Sequence, residues 1–124
     1  MTTADATITA DVLFSKIDRQ QLHEVADLFA EDATMVFGNG SPLVGREAIL
    51  AGNAAFMQTI AGLSHHILDT WTVDGTTIAV TDVTYTRLDA GEATLPAVTI
   101  WRVGPDGRIT DLRVVLDLAP VFAP

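Results

Sequence analysis

SHHILDTWTVDGTTIAVTDVTYTRLDAGEATLPAVTIWRVGPDGRITDLRVVLDL, residues 64–118, decides the fold. Asp74-Gly75, Asp89-Ala90-Gly91 and Gly104-Pro105-Asp106-Gly107 fall at regular intervals, and the runs between them are rich in Val, Ile, Thr and Trp. Branched and aromatic side chains suit a pleated, half-buried surface, while Asp-Gly pairs supply the residues that tight hairpins need. The pattern predicts four strands joined as a meander: Ser64 to Val73, Thr77 to Leu88, Ala93 to Val103 and Arg108 to Leu118. Both faces of these strands are apolar, with Leu95, Ala97 and Trp101 on one side of the third run and Val98 and Ile100 on the other. A sheet that faced water on one side would alternate more strictly, so helices are expected over one face and a second copy, related by a two-fold axis, over part of the other.

Upstream of residue 64 the period changes from two to 3.6. Ile8, Val12, Leu13 and Ile17 form an uneven helical stripe over Thr7 to Ile17. Asp18 stands where an N-cap would, Gln21 takes the capping-box position, and Leu22, Val25, Ala26 and Phe29 follow helical spacing. A short strand is expected from Ala33 to Phe37, broken by Gly38-Asn39-Gly40-Ser41-Pro42, and a third helix from Arg46 to Ala61. Helices segregated from an antiparallel meander make an α+β fold. At 124 residues the chain is one domain, 1–124, without visible repeats.

Sixteen acidic against seven basic residues leave a net charge of −9, which repels nucleic acid and anionic membranes. Without cysteine there is no disulfide, thiolate nucleophile or sulfur-bound zinc. No basic segment followed by an apolar block opens the sequence, and the expected location is cytoplasmic.

Leu28-Phe-Ala-Glu-Asp-Ala-Thr34, Gly45-Arg46-Glu47-Ala48-Ile49, His65-His66-Ile67, the hairpin meander and Asp106-Gly-Arg-Ile109 together resemble the nuclear transport factor 2-like superfamily, nearest its SnoaL-like, polyketide cyclase-like branch. The resemblance implies a cone: three N-terminal helices packed on a strongly curved antiparallel sheet, an α+β barrel with an apolar cavity open at one end. The superfamily contains isomerases, cyclases, epoxide hydrolases and binding domains, so its fold does not name a reaction. Where steroid isomerases of this superfamily carry a base, a tyrosine and a second acid, this chain has Phe37, a position near Leu13, and Thr99. The Asp-Arg-Asp relay of the epoxide hydrolases is replaced by Ile100-Trp101-Arg102-Val103.

The cyclases of the branch place an aspartate on the last strand with a histidine nearby, which points to Asp117 as a base and His65 as its partner. A carboxylate against apolar walls would suit that role; the competing reading has Asp117 ending a strand, capping the next turn or pairing with an Arg. His65 and His66 are strand neighbours and face opposite ways. His65 shares parity with Ile67, Asp69 and Trp71 and is assigned to the interior, as a catalyst or as a hydrogen-bonded core residue. Asn53 lies within an apolar helical stripe and either orients a substrate carbonyl or bonds to backbone. Phe56, Trp71, Tyr85, Thr99 and Trp101 complete the expected lining. No metal set and no cofactor fingerprint is present: His23 and Asp27 lack a third ligand, and Gly38-Asn39-Gly40 lacks the third glycine of a dinucleotide loop. Two functions follow: a cofactor-free cyclase or isomerase acting on a small hydrophobic, carbonyl-bearing compound, and a non-catalytic dimeric domain that holds a ligand or a partner.

Overall fold

A computed structural model describes residues 8–123. Helix α1 (Ala10–Asp18) starts at Thr9, whose hydroxyl accepts the Val12 N–H at 3.3 Å. It begins later than the sequence pattern suggests, and Thr7 lies outside the described residues. Asp18 does not cap the second helix. It closes α1, and the chain then turns through Gln20 at φ 57° into α2 (Leu22–Asp27). Phe29, counted into that helical stripe from its spacing, opens strand β1 (Phe29–Phe37) instead. The Arg46 guanidinium fixes this start, donating twice to the Phe29 carbonyl at 3.0 and 2.8 Å.

A two-residue strand β2 (Leu43–Val44), not visible in the sequence, folds back on β1 before helix α3 (Arg46–Met57). α3 ends short of Ala61 because the Thr59 hydroxyl and N–H both bond to the Phe56 carbonyl, and Ala61 already donates to Thr86 in the sheet. The meander follows as β3 (Gly62–Val73), β4 (Thr76–Thr86), β5 (Glu92–Val103) and β6 (Ile109–Val115), and α4 (Ala119–Phe122) closes the chain. Asp74 and Gly75, at φ 52° and 78°, form the left-handed turn between β3 and β4.

The six strands lie in the order β2-β1-β6-β5-β4-β3. β1 runs parallel to β6 and every other pair is antiparallel. The sheet stays open, and α1, α2 and α3 cover its concave face in the cone expected of the fold. Trp101, Leu13, Phe14, Phe29 and Ile49 are fully buried between helices and sheet. A second cluster, with Ile60, Val83, Tyr85 and Leu95, is closed by Val121 of α4.

One irregularity decides which side chains face inward. Pairing of β3 with β4 runs His65 to Val83 and Ile67 to Thr81, then slips to Asp69 opposite Val80. The bulge at Leu68 reverses the parity of everything after it. His65 and Ile67 therefore face the helices, while Asp69 and Trp71 face out.

Among the described residues no helix is long and apolar enough to cross a membrane.

Candidate functional site

The helices and the concave sheet face leave a cavity of about 100 Å³. Its walls are apolar: Leu13, Phe14 and Ile17 from α1, Phe56 and Met57 from α3, and sheet residues including Phe37, Leu63 and Val114. The positions aligned with the steroid isomerases' catalytic groups, Phe37, Leu13 and Thr99, all line it, and none of the three carries a strong acid or base.

Polar chemistry enters from His65, Tyr85 and Asn53, and Thr99 of β5 adds a buried hydroxyl. His65 projects from β3, on the face shared with Val83 and Tyr85 of β4. Its ring stacks on Phe14, with centroids 4.2 Å apart and planes 7° from parallel. Asp18, at the C-terminal end of α1, holds the histidine twice: Oδ2 accepts the His65 backbone N–H at 2.8 Å, and Oδ1 lies 2.6 Å from Nδ1. A carboxylate only accepts, so Nδ1 carries a proton, and in the neutral imidazole Nε2 is then the nitrogen with the lone pair. With the side chains 10% and 23% exposed, water screens this contact weakly.

No described residue hydrogen-bonds to Nε2, yet no side-chain nitrogen or oxygen among the described residues is both sealed from solvent and unpartnered. Nε2 therefore faces open space, and His65 is a cavity wall. The same reasoning applies to Tyr85. Its side chain is 2% exposed, and its hydroxyl has no partner among the described residues. Burial first, and the Asp18 carboxylate second, push that hydroxyl up to about 12 from its ordinary 10, so it remains a donor across the usual pH range. Asn53 of α3 supplies a third polar group to the wall.

Six of the eight residues singled out from the sequence are cavity walls or core, and two point elsewhere. His65, Asn53, Phe56, Tyr85 and Thr99 line the cavity. Trp101 lies behind the wall, fully buried, with its indole N–H donating to the Ile8 carbonyl at 3.1 Å. Trp71 is 52% exposed on the outer face because of the Leu68 bulge. Asp117 is exposed beyond the end of β6 and accepts the Ala119 N–H at 3.0 Å, the turn-capping role its position also allowed. His65, in the cavity wall, thus meets a carboxylate, but from Asp18, which stands behind it. Sequence reading missed that residue because its partner lies 47 positions away and a local capping pattern claimed it first.

The model of the SnoaL-like domain matches residues 11–112 of this sequence. The chain belongs to the SnoaL-like domain family. Solved structures agree with this SnoaL-like fold. A nuclear transport factor 2-like protein from Burkholderia pseudomallei superposes with a TM-score of 0.80 at 18% identity, covering 89% of this chain and 92% of that one. A protein of ketosteroid isomerase-like fold from Catenulispora acidiphila, solved in complex with trimethylamine, gives 0.82 at 19% identity over 97% and 91%. A Jannaschia protein named for the SnoaL-like polyketide cyclases gives 0.77 at 16% identity over 90% and 88%. At these identities the likeness is one of fold. No curated protein matches the sequence.

Proposed function

We propose that this SnoaL-like domain is an acid-base enzyme, working without a cofactor, that acts on a small uncharged carbonyl compound, with His65 as the base. The observation that carries the reading is the His65 ring in an apolar cavity, with Asp18 on Nδ1 and Nε2 facing open space. A carboxylate on Nδ1 fixes the ring and its tautomer, and it stabilises the imidazolium formed when Nε2 takes a proton. The proton taken would be one on carbon beside a carbonyl, its electron pair moving to the carbonyl oxygen. Return of that proton to another carbon of a conjugated enolate isomerises the compound; attack of the enolate carbon on a second carbonyl closes a ring, the new alkoxide taking the proton back from Nε2. Asp117, on its exposed turn, is not part of this proposal.

Cyclopentanone in heavy water tests the reading, because exchange of its α-hydrogens reports the first step alone. Protein-dependent exchange is expected, falling to the buffer rate in His65→Ala and by about a hundredfold in Asp18→Asn. Exchange in His65→Ala equal to the wild type contradicts it.

The cavity volume favours one other reading, a domain that holds a ligand without transforming it. About 100 Å³ is well below the roughly 300 Å³ of ordinary small-molecule sites. Saturable binding of cyclopentanone with no exchange would establish this second reading.

A second copy is proposed for the outer sheet face. Trp71, Ile78 and Val115 are exposed there, beside Val80, Val98 and Ile100. Arg102 and Arg113 also face out, with no carboxylate partner among the described residues. Asp69 lies on the β3 side of this patch and Arg113 on its β6 side. A two-fold axis through its centre brings Asp69 of each copy against Arg113 of the other, the self-complementarity a symmetric dimer requires.

A further inference from the structure

We infer that the Tyr85 hydroxyl is the group that receives the ligand's oxygen, and that it restricts the cavity to uncharged oxygen-bearing molecules. The inference rests on the cavity being the site. Tyr85 stands on β4 opposite Leu63, two residues from the Val83 that pairs with His65, so its ring and the imidazole occupy one sheet face. Phe56 meets the ring edge-on, with centroids 6.0 Å apart and planes at 85°, which fixes where the hydroxyl lies. That hydroxyl opens onto the cavity without a partner among the described residues. A donor that opens onto apolar walls is poorly screened, so a bound acceptor is worth more here than on the surface.

The choice of acceptor follows from the charges. No Lys or Arg lines the cavity, and the carboxylate of Asp18 stands behind His65 and near enough to Tyr85 to hold its proton on. An anionic ligand would leave water for a site with a fixed negative charge and no cation. A ketone or lactone oxygen accepts from Tyr85 without that cost. A cation would find Asp18 already committed through both oxygens to His65. Size adds a limit: an apolar cavity of roughly 150 Å³ accommodates benzene, so this one, at about 100 Å³, takes molecules no larger than about six heavy atoms.

Four probes of about six heavy atoms separate these terms in an NMR titration of the intact chain: cyclopentanone, methylenecyclopentane, cyclopropanecarboxylate and cyclopentylammonium. Cyclopentanone is expected to bind most tightly, with the anion and the cation at least tenfold weaker. Tyr85→Phe should weaken cyclopentanone about five- to tenfold and leave methylenecyclopentane unchanged, which also shows that the variant's cavity is intact. Equal cyclopentanone affinity in Tyr85→Phe overturns the donor role, as does failure of the wild type to bind cyclopentanone. An anion or cation that binds as well as cyclopentanone overturns the ligand class. Deuterium exchange in the same samples reports on His65 separately: tight, Tyr85-dependent binding without exchange removes the base and keeps this inference.

Discussion

Tyr85 is the single tyrosine in the chain, so its ionisation can be followed alone by ultraviolet absorbance. The folded protein is expected to titrate near 12, and the denatured chain near the ordinary 10. The unfolded chain then releases its phenolic proton first as pH rises, so this group's contribution is complete below pH 10. Stability falls through the window from 10 to 12, by roughly 2 to 3 kcal/mol at the upper end. Because Asp18 contributes to the shift, Asp18→Asn should bring the folded midpoint down toward 10. An unmoved midpoint would mean that the carboxylate stands too far from the phenol to act on it. Individual residues were legible only where local rules applied. Strand neighbours diverge, so one of His65 and His66 faces inward, and His65 was placed there because Ile67 and Trp71 share its parity. Trp71 shared the parity but not the face, since the Leu68 bulge between them leaves no clear mark in the sequence. Asp18 illustrates the other limit: a carboxylate before an apolar helical stripe has the pattern of an N-cap, and only the folded chain shows it reaching across to β3.

Among the elements, α3 makes the most specific prediction. Gly52 faces the cavity, and a Cβ built there would sit 2.5 Å from Leu43 Cδ1, on the short β2. Gly52→Ala gains about 1 kcal/mol of helix propensity, and the end of a flexible leucine is displaced. The two terms nearly offset, so thermal stability should change little while cyclopentanone affinity falls several-fold. A large loss of melting temperature with affinity retained would contradict this picture of the wall. The bulge in β3 invites a second test. Deleting Leu68 removes only the unpaired residue and leaves Asp69 opposite Val80 and Trp71 opposite Ile78, so cooperative melting and a solvent-quenched Trp71 should both be kept, whereas a buried Trp71 would contradict this register. The hairpins were readable because Asp-Gly turns announce themselves locally. β2 was not, since two residues carry no period, and the end of α3 was not, since a hydroxyl-to-carbonyl bond at Thr59 decides it.

For the whole molecule, two chains of −9 charge repel, and association has to be made where charge is mixed and apolar area is exposed. The outer sheet face meets both conditions. Sedimentation is expected to show a dimer at micromolar concentration, Val115→Asp a monomer, and the exchange of charge in Asp69→Arg with Arg113→Asp a restored dimer after either single change has weakened it. A wild-type monomer across that range contradicts the assembly. The α+β architecture and the helix-covered sheet were readable from turn spacing and period. Apolar residues on both sheet faces signalled that something more must cover the outer one, but which residues surround the cavity depended on a register slip and on contacts between distant elements.

The account turns on one nitrogen atom. A ¹⁵N NMR spectrum of histidine-labelled protein at neutral pH, recorded with and without cyclopentanone, reads it directly. In the neutral His65 ring the proton is expected on Nδ1, with the Nε2 resonance moving as cyclopentanone binds and the tautomer mixed in Asp18→Asn. A neutral ring protonated at Nε2, or an Nε2 signal indifferent to cyclopentanone that demonstrably occupies the cavity, would contradict the account.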